Sequence, residues 1–495
     1  MTMDPCESVE RSLAGHAVYG DDRHILGLSR DRLVGALADV ASRLSPAEEL
    51  LDAVASGPRD HRLFTEPTLR AAIGHAHRQL FSNPVGGPRL LPLDDCCAVF
   101  YSAARYVRQG GADTPLQDGS LVALGTAPQH GWIWRDDDRD DAYGHAFRQI
   151  VAARYGMPPP SPDARSVELL QSGERLLAEL VPVLAPSALH HCRVVACVPE
   201  SRSFGSSSRP DLGGMALVGR NAPGPWVIAE SLLHESAHLK LYDLFGADMF
   251  MANADRFLVI PWNPSNLVGA NRWNTWRALA AFHVYVHLAL LSAVAERRGP
   301  ELEATFGPAG GMTPSHRART RARFLATQLM TQPQCRTTLG TTGQKLTQWL
   351  LSLLDLLDPN PVPDGSTRHL YLDLYARETA RLRRTLAEGT TLLKELKGLA
   401  MQDVTSARAI LSGIGAARQL PALDAVAGTG DVIELRCAVA DGLLEAPASD
   451  DMVGELVSRS SDALFALVNG QVRAPASPPA PTTPPEVEAA SPNEQ

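Results

Sequence analysis

The stretch His234-Glu235-Ser236-Ala237-His238 sets two histidines four residues apart, with a glutamate beside the first. On a helix, residues four apart share a face with Cβ atoms roughly 5–6 Å apart, so both imidazoles can reach one metal ion. Glu235 points partly toward the same ion, where it can order a water or move a proton. The motif fixes only three positions. Its other reading is a helix whose histidines are hydrogen-bonded and whose Glu235 pairs with Lys240 or solvent. The flanks Val227, Ile228, Leu232 and Leu233 before it, and Leu239, Leu241, Leu244 and Phe245 after it, predict a buried helix that stops at Gly246. That setting favours the metal reading.

The third ligand decides the chemistry. A thermolysin-type peptidase takes a Glu from a second helix, and a metzincin requires H-E-x-x-H-x-x-G-x-x-H. Here Leu239, Lys240, Leu241, Tyr242 and Asp243 follow His238, which excludes the metzincin form. The next apolar stretch, Ala278 to Ala295, carries no carboxylate before Ala295, but it holds His283 and His287, again four apart. Histidines on apolar helices serve more often as hydrogen-bonded core residues than as ligands. Two in register beside an H-E-x-x-H motif raise the expectation that one of them completes the site. Nitrogen ligands with open positions suit zinc hydrolysis or non-haem iron, and spacing alone does not choose between them.

The elements that must position these residues are mostly helical. Apolar residues recur at helical spacing through Leu26, Leu33, Leu37 and Val40, and again through Leu69, Ile73 and Leu80. His75 and His77, two apart, fall on different faces and read as structural or exposed. Arg193 to Val198 and Gly214 to Gly219 read as buried strands, with the hydroxyl- and glycine-rich Phe204 to Gly213 as a polar loop between them. Two strands feeding an H-E-x-x-H helix is the zincin-like layout, in which an edge strand borders the substrate groove. A second long helix is predicted from about Trp273 to Arg297, with Arg277 on it and Arg272 just before it. The fold class read from this pattern is mainly α with a small β-sheet (α+β), a zincin-like active-site helix within a largely helical protein. The expected divisions are an N-terminal helical region over 1–157, ending at the Pro-rich hinge at Pro158, and a metal-binding catalytic domain over 158–357. A C-terminal helical region over 358–473 and a disordered Pro-rich tail over 474–495 follow.

The bulk composition excludes several classes. Forty-six Lys and Arg against 55 Asp and Glu leave a net charge of −9, which argues against general nucleic-acid binding. The acidic run Asp136 to Asp141 lacks the Gly turn and ligand spacing of a calcium loop and reads as solvated. Seven cysteines without a C-x-x-C pair fit a reducing compartment. Met1 to Arg23 has no apolar signal core, and His283 and His287 interrupt the longest apolar run, so a cytoplasmic protein with no membrane span is expected.

Several of these pieces together resemble the H-E-x-x-H domain proteins of peptide natural-product clusters, 2-oxoglutarate-dependent peptide β-hydroxylases. The matching residues are Ser206-Ser207-Ser208 with Gly213-Gly214, Leu232 to His238, Pro261-Trp262 and Arg277 to Leu290. Softer matches lie at Leu69 to Ala72 and from Arg323 to Thr347, so the resemblance spans roughly 51–357. It implies Fe(II), 2-oxoglutarate and O2 as cofactors and co-substrates, and a ribosomally made precursor peptide as substrate. It implies iron held by His234, His238 and a downstream residue, His283 in preference to His287. The far carboxylate of the keto acid wants a fork of donors, for which Arg277 comes first and Arg272 second. Ser206, Ser207 and Ser208 would hydrogen-bond co-substrate or peptide. Glu235 is the catalytic base in zincins, a role an iron oxygenase does not require. The rival expectations are a zinc-dependent metallopeptidase and a non-catalytic peptide-binding module.

Overall fold

The computed structural model describes residues 4–57, 62–82, 91–111, 114–115, 121–125, 131–135, 141–198, 205–219, 222–246, 250–252, 257–259, 272–359, 368–387, 389–416, 419–428, 430–445 and 448–470. Two compact units emerge. The first, 1–258 with 273–365, begins with helices α1 (Pro5–Gly15), α2 (Asp22–Ala41), α3 (Ser45–Ser56), α4 (Pro67–Phe81) and α5 (Leu93–Arg108). Strands β1 (Leu121–Ala123) and β2 (Trp132–Trp134) follow, then α6 (Ala142–Tyr155), α7 (Ala164–Leu180) and α8 (Leu184–Leu189). Next come β3 (Val194–Val198), β4 (Ser206–Ser208), β5 (Met215–Gly219) and α9 (Pro225–Phe245), which carries the histidine pair. Two short strands, β6 (Phe257–Val259) and β7 (Arg272–Asn274), precede α10 (Thr275–Phe306), α11 (Ser315–Thr331), α12 (Pro333–Thr338) and α13 (Thr341–Leu357). The second unit, 366–495 with 259–272, contains α14 (Arg368–Ala387), α15 (Leu393–Gly413), α16 (Leu420–Ala427), α17 (Val432–Glu445) and α18 (Asp450–Gly470). The protein is mainly α with a small mixed sheet, as its sequence pattern predicts.

The sheet runs β1-β2-β3-β5-β4. The β2–β3 and β3–β5 pairs are parallel, and the two outer pairs are antiparallel. Every residue of β3 is buried, which is why this central strand reads as an unbroken apolar run. Because β2 pairs with β3, the segment before Pro158 and the segment after Pro162 build one sheet and one core. The expected division at 157/158 is therefore corrected. The Pro-rich stretch lies inside one unit, because β2 before it takes β3 after it as its parallel neighbour. The division expected at 357/358 falls just before the end of the first unit at Gly365. Most of the acidic run (136–140) and the tail from Ala474 fall outside the described residues.

Two further differences concern single elements. Ser206–Ser208, expected as loop, is an edge strand, pairing Ser207 with Leu217. Serine has little strand preference of its own, so the ladder offered by β5 decides its conformation. Gly214 permits that geometry: its φ is +89°, and a Cβ there would sit 2.2 Å from the Thr65 carbonyl oxygen. Finally, α10 continues through Pro300 to Phe306 instead of ending near Arg297.

Helix α9 is buried on nearly every side, packing against α2, α7, α8, α10, β4 and β5. Gly173 of α7 lets Ile228 approach: a Cβ there would lie 2.2 Å from Ile228 Cγ2. Polar ties fix the register of the helix. Asp243 accepts from Ser29 Oγ (3.0 Å), pairs with His191 Nδ1 (2.7 Å), and forms a buried ion pair with Arg70. Lys240 donates to the carbonyls of Leu13 (3.1 Å) and Gly20 (2.5 Å) and to Ser187 Oγ (2.9 Å). It therefore serves the N-terminal helices and not Glu235. Among the described residues, only α10 is long and apolar enough to cross a membrane, and its apolar window is packed inside the unit.

Candidate functional site

His234 and His238 are half-buried, while their neighbours on α9 are mostly buried, so these two side chains mark the one open stripe of the helix. Their ring centroids are 5.0 Å apart. Both line a cleft of about 500 Å³ together with Ser206, Ser207, Ser208, Glu235 and Arg277. Tyr242, Trp273, Trp276 and Tyr285 form its aromatic wall. His238 stacks on Tyr242 with centroids 5.7 Å apart, and Tyr242 in turn meets Trp276 at 5.9 Å.

Glu235 is held from the sheet side. Ser206 Oγ donates to one of its carboxylate oxygens and Ser208 Oγ to the other, each at 2.6 Å. Period-two alternation along β4 sends these two hydroxyls to one face and Ser207 to the other, where it meets the Tyr155 hydroxyl at 3.2 Å. Thus Ser206 and Ser208 bind Glu235, and Ser207 points to a different neighbour. The edge strand is braced by the Arg154–Asp211 ion pair at 2.5 Å, in the turn that follows it. His234 Nε2 lies 3.9 Å from Glu235 Oε1.

Arg277 is positioned by the cap of α10: Asn274 Oδ1 accepts from the Arg277 backbone N–H at 2.9 Å. Its guanidinium lies over the Trp273 ring, 4.8 Å from the centroid, on the exposed side of the cleft. Burial lowers its pKa somewhat, against the pull of Tyr242. The guanidinium makes no hydrogen bond or ion pair among the described residues, so its donors face the cleft without a protein acceptor. Arg272 is in β7; its side chain lies outside the described residues, as does Pro261-Trp262.

The structure does not bring His283 or His287 to the pair. Both are buried, at 2% and 1% exposure, and neither lines the cleft. His287 Nδ1 meets the His283 carbonyl at 2.8 Å, and the two rings are 4.4 Å apart. Along α10 the cleft is lined by Trp276, Arg277, Ala280, Ala281, Val284 and Tyr285, while the two histidine side chains are buried in the packed interior of the unit. Among the described residues, no three His, Cys, Asp or Glu side chains come together to hold one ion.

The residues present fit a divalent metal held by two imidazoles, the remaining positions left to small ligands. His238 is kept neutral, the form that ligates: burial pushes its pKa well below the ordinary value, and His234, Arg277 and His287 add to the effect. Its Nδ1 is buried without a hydrogen-bond partner. Several cleft residues were not singled out from sequence. Tyr242 was within reach, since it lies four residues after His238 on the same face. Trp276 and Tyr285 become visible only once the phase of α10 is known.

No protein-family model matches this chain, and no curated protein sequence matches it.

Proposed function

We propose that the protein is an Fe(II)- and 2-oxoglutarate-dependent hydroxylase that oxidises a side-chain β-carbon in a ribosomally made peptide. The observation that carries this reading is the shared cleft. Two imidazoles on one helix face open into the same space as an arginine whose guanidinium has no protein acceptor. When bound, iron and the keto acid supply the oxidising power: 2-oxoglutarate and O2 become succinate and CO2, while one oxygen atom enters the substrate as hydroxyl. His234 and His238 would hold the metal, and Arg277 would clamp the far carboxylate of 2-oxoglutarate with its planar fork. Tyr242, Trp273 and Trp276 would give the substrate an aromatic surface to lie against.

Glu235 fits either chemistry: each of its oxygens accepts a 2.6 Å hydrogen bond from serine and keeps a further lone pair, with which a metallopeptidase would take a proton from water. In an oxygenase it instead ties the metal helix to the sheet edge. Strand β4 ends the sheet, and no strand pairs with its outer edge among the described residues. That edge suits an extended peptide, which would add as a further strand. The same feature favours the second reading, a zinc peptidase, because zincin-like enzymes align substrates along such an edge.

Incubation with candidate peptides, Fe(II), 2-oxoglutarate and O2, followed by mass spectrometry, separates the two. The hydroxylase reading expects a 16 Da gain on peptide with one succinate per hydroxyl. Peptide cleavage supported by zinc and indifferent to 2-oxoglutarate would replace it with the peptidase reading.

A further inference from the structure

Tyr242 follows His238 by one helical turn on α9, and two aromatic neighbours place its ring. The His238 imidazole lies 5.7 Å away and the Trp276 indole 5.9 Å, centroid to centroid. Those contacts account for the ring but not for the hydroxyl. The side chain lines the cleft, and its O–H makes no hydrogen bond among the described residues. Phenylalanine would serve the ring contacts equally well and would spare the cost of a polar group without a partner. The hydroxyl therefore points to an acceptor that enters the cleft.

Arg277 lines the same cleft from α10, likewise without a protein acceptor among the described residues. Burial raises the pKa of Tyr242 and lowers that of Arg277, and each group also lies within electrostatic reach of the other. A guanidinium fork fills about two of the roughly four lone-pair sites on a carboxylate, which leaves room for a neutral O–H donor. A phenol, protonated at neutral pH, is such a donor. The lengths also agree. From His238 to Tyr242 the helix rises about 6 Å, at about 1.5 Å per residue. Four C–C bonds of about 1.5 Å, extended in zigzag, span roughly 5 Å. A five-carbon diacid gripped at its keto end by a metal on His238 thus carries its other carboxylate to the level of Tyr242.

We propose that Tyr242 is a binding residue for the far carboxylate of 2-oxoglutarate, its hydroxyl donating to one carboxylate oxygen while Arg277 clamps the group as a fork. This inference rests on the hydroxylase reading and assigns a residue that the reading does not need. The pair makes the site selective for a dicarboxylic keto acid. An acid that ends in a methyl group leaves both donors in the cleft without a partner, and a site built to hydrogen-bond its ligand rejects an analogue that lacks the acceptor.

The test is anaerobic calorimetry of the full chain loaded with Fe(II), comparing Y242F with the unaltered protein and 2-oxoglutarate with 2-oxopentanoate. The second acid has the same carbon chain, with a methyl in place of the far carboxylate. Phenylalanine keeps the ring and both aromatic contacts, so Fe(II) affinity and melting temperature should not change. Affinity for 2-oxoglutarate should fall roughly tenfold to a hundredfold, the loss of one hydrogen bond to a charged group. Affinity for 2-oxopentanoate should be the same in both proteins. A merely structural role would weaken both acids alike, and a Tyr242 that ligates the metal would weaken Fe(II) binding itself; either result overturns the proposal. Full 2-oxoglutarate affinity in Y242F beside a loss in R277M would overturn it too, while leaving the hydroxylase reading in place. Failure of the unaltered protein to bind 2-oxoglutarate in the presence of Fe(II) would remove both.

Discussion

Replacing Asp243 by Asn tests how the histidine helix is held in register. Asp243 is 1% exposed and receives three groups on its two oxygens: Arg70, Ser29 Oγ and His191 Nδ1. Asn keeps the shape, but it offers one acceptor and one amide nitrogen where donors converge. It also leaves the Arg70 guanidinium buried without a counter-charge. Breaking one side of a buried, hydrogen-bonded ion pair costs about 3–5 kcal/mol, far above the roughly 0–1 kcal/mol of an exposed pair. Urea unfolding followed by tryptophan fluorescence should show a loss of that size. An R70M/D243L variant, which removes both charges, should lose much less than the sum of its single variants. The pH dependence carries a sign. Burial alone would raise the Asp243 carboxyl, but the Arg70 charge and the His191 hydrogen bond outweigh it and hold it well below the usual carboxylate range. A folded pKa below the unfolded one means the contribution is complete above about pH 4 and is lost as pH falls further. The D243N variant should lack that acid limb. A cost under about 1 kcal/mol, or an unchanged acid limb, would refute the reasoning.

Two further outcomes follow from the same geometry. The S206A/S208A variant strips both donors from Glu235, which is 3% exposed; it should lose about 2–4 kcal/mol, since cleft water replaces part of two charge-assisted hydrogen bonds. Urea unfolding reads this, and stability within about 0.5 kcal/mol of the unaltered chain would mean the serines do not brace the glutamate. Glu66, fully buried, caps α4 by accepting from the Thr68 and Leu69 N–H groups, yet burial outweighs those hydrogen bonds and pushes its carboxyl up to about 7. Its folded pKa lies above its unfolded one, so its contribution is full below about pH 4 and is lost as pH rises to about 7. The E66Q variant should therefore gain on the unaltered chain by roughly 3 kcal/mol between pH 4 and pH 8, and parallel stability–pH curves would contradict this.

What could be read from the chain, and what could not, divides along local and non-local lines. The α9 helix was legible because its motif, apolar flanks and stop all lie within about twenty residues. The edge strand was not, because Ser206–Ser208 takes its conformation from β5 and its purpose from Glu235, 29 and 27 residues away. The tether at Asp243 joins residues 173 and 214 positions apart, beyond any periodicity argument. His283 and His287 repeat the spacing of the motif pair on a helix that is apolar nearly all round. With no polar face to set its rotation, sequence could not say which stripe of α10 meets the cleft.

The central claim is that His234 and His238 hold a metal while Arg277 holds the keto acid beside it. Anaerobic calorimetry with Fe(II) and 2-oxoglutarate measures this most directly, using the unaltered chain, H238A and R277M. The account predicts metal-dependent binding of 2-oxoglutarate, lost with the metal in H238A and lost with the metal retained in R277M. Binding of 2-oxoglutarate that needs no metal, or that survives R277M at full strength, would contradict it.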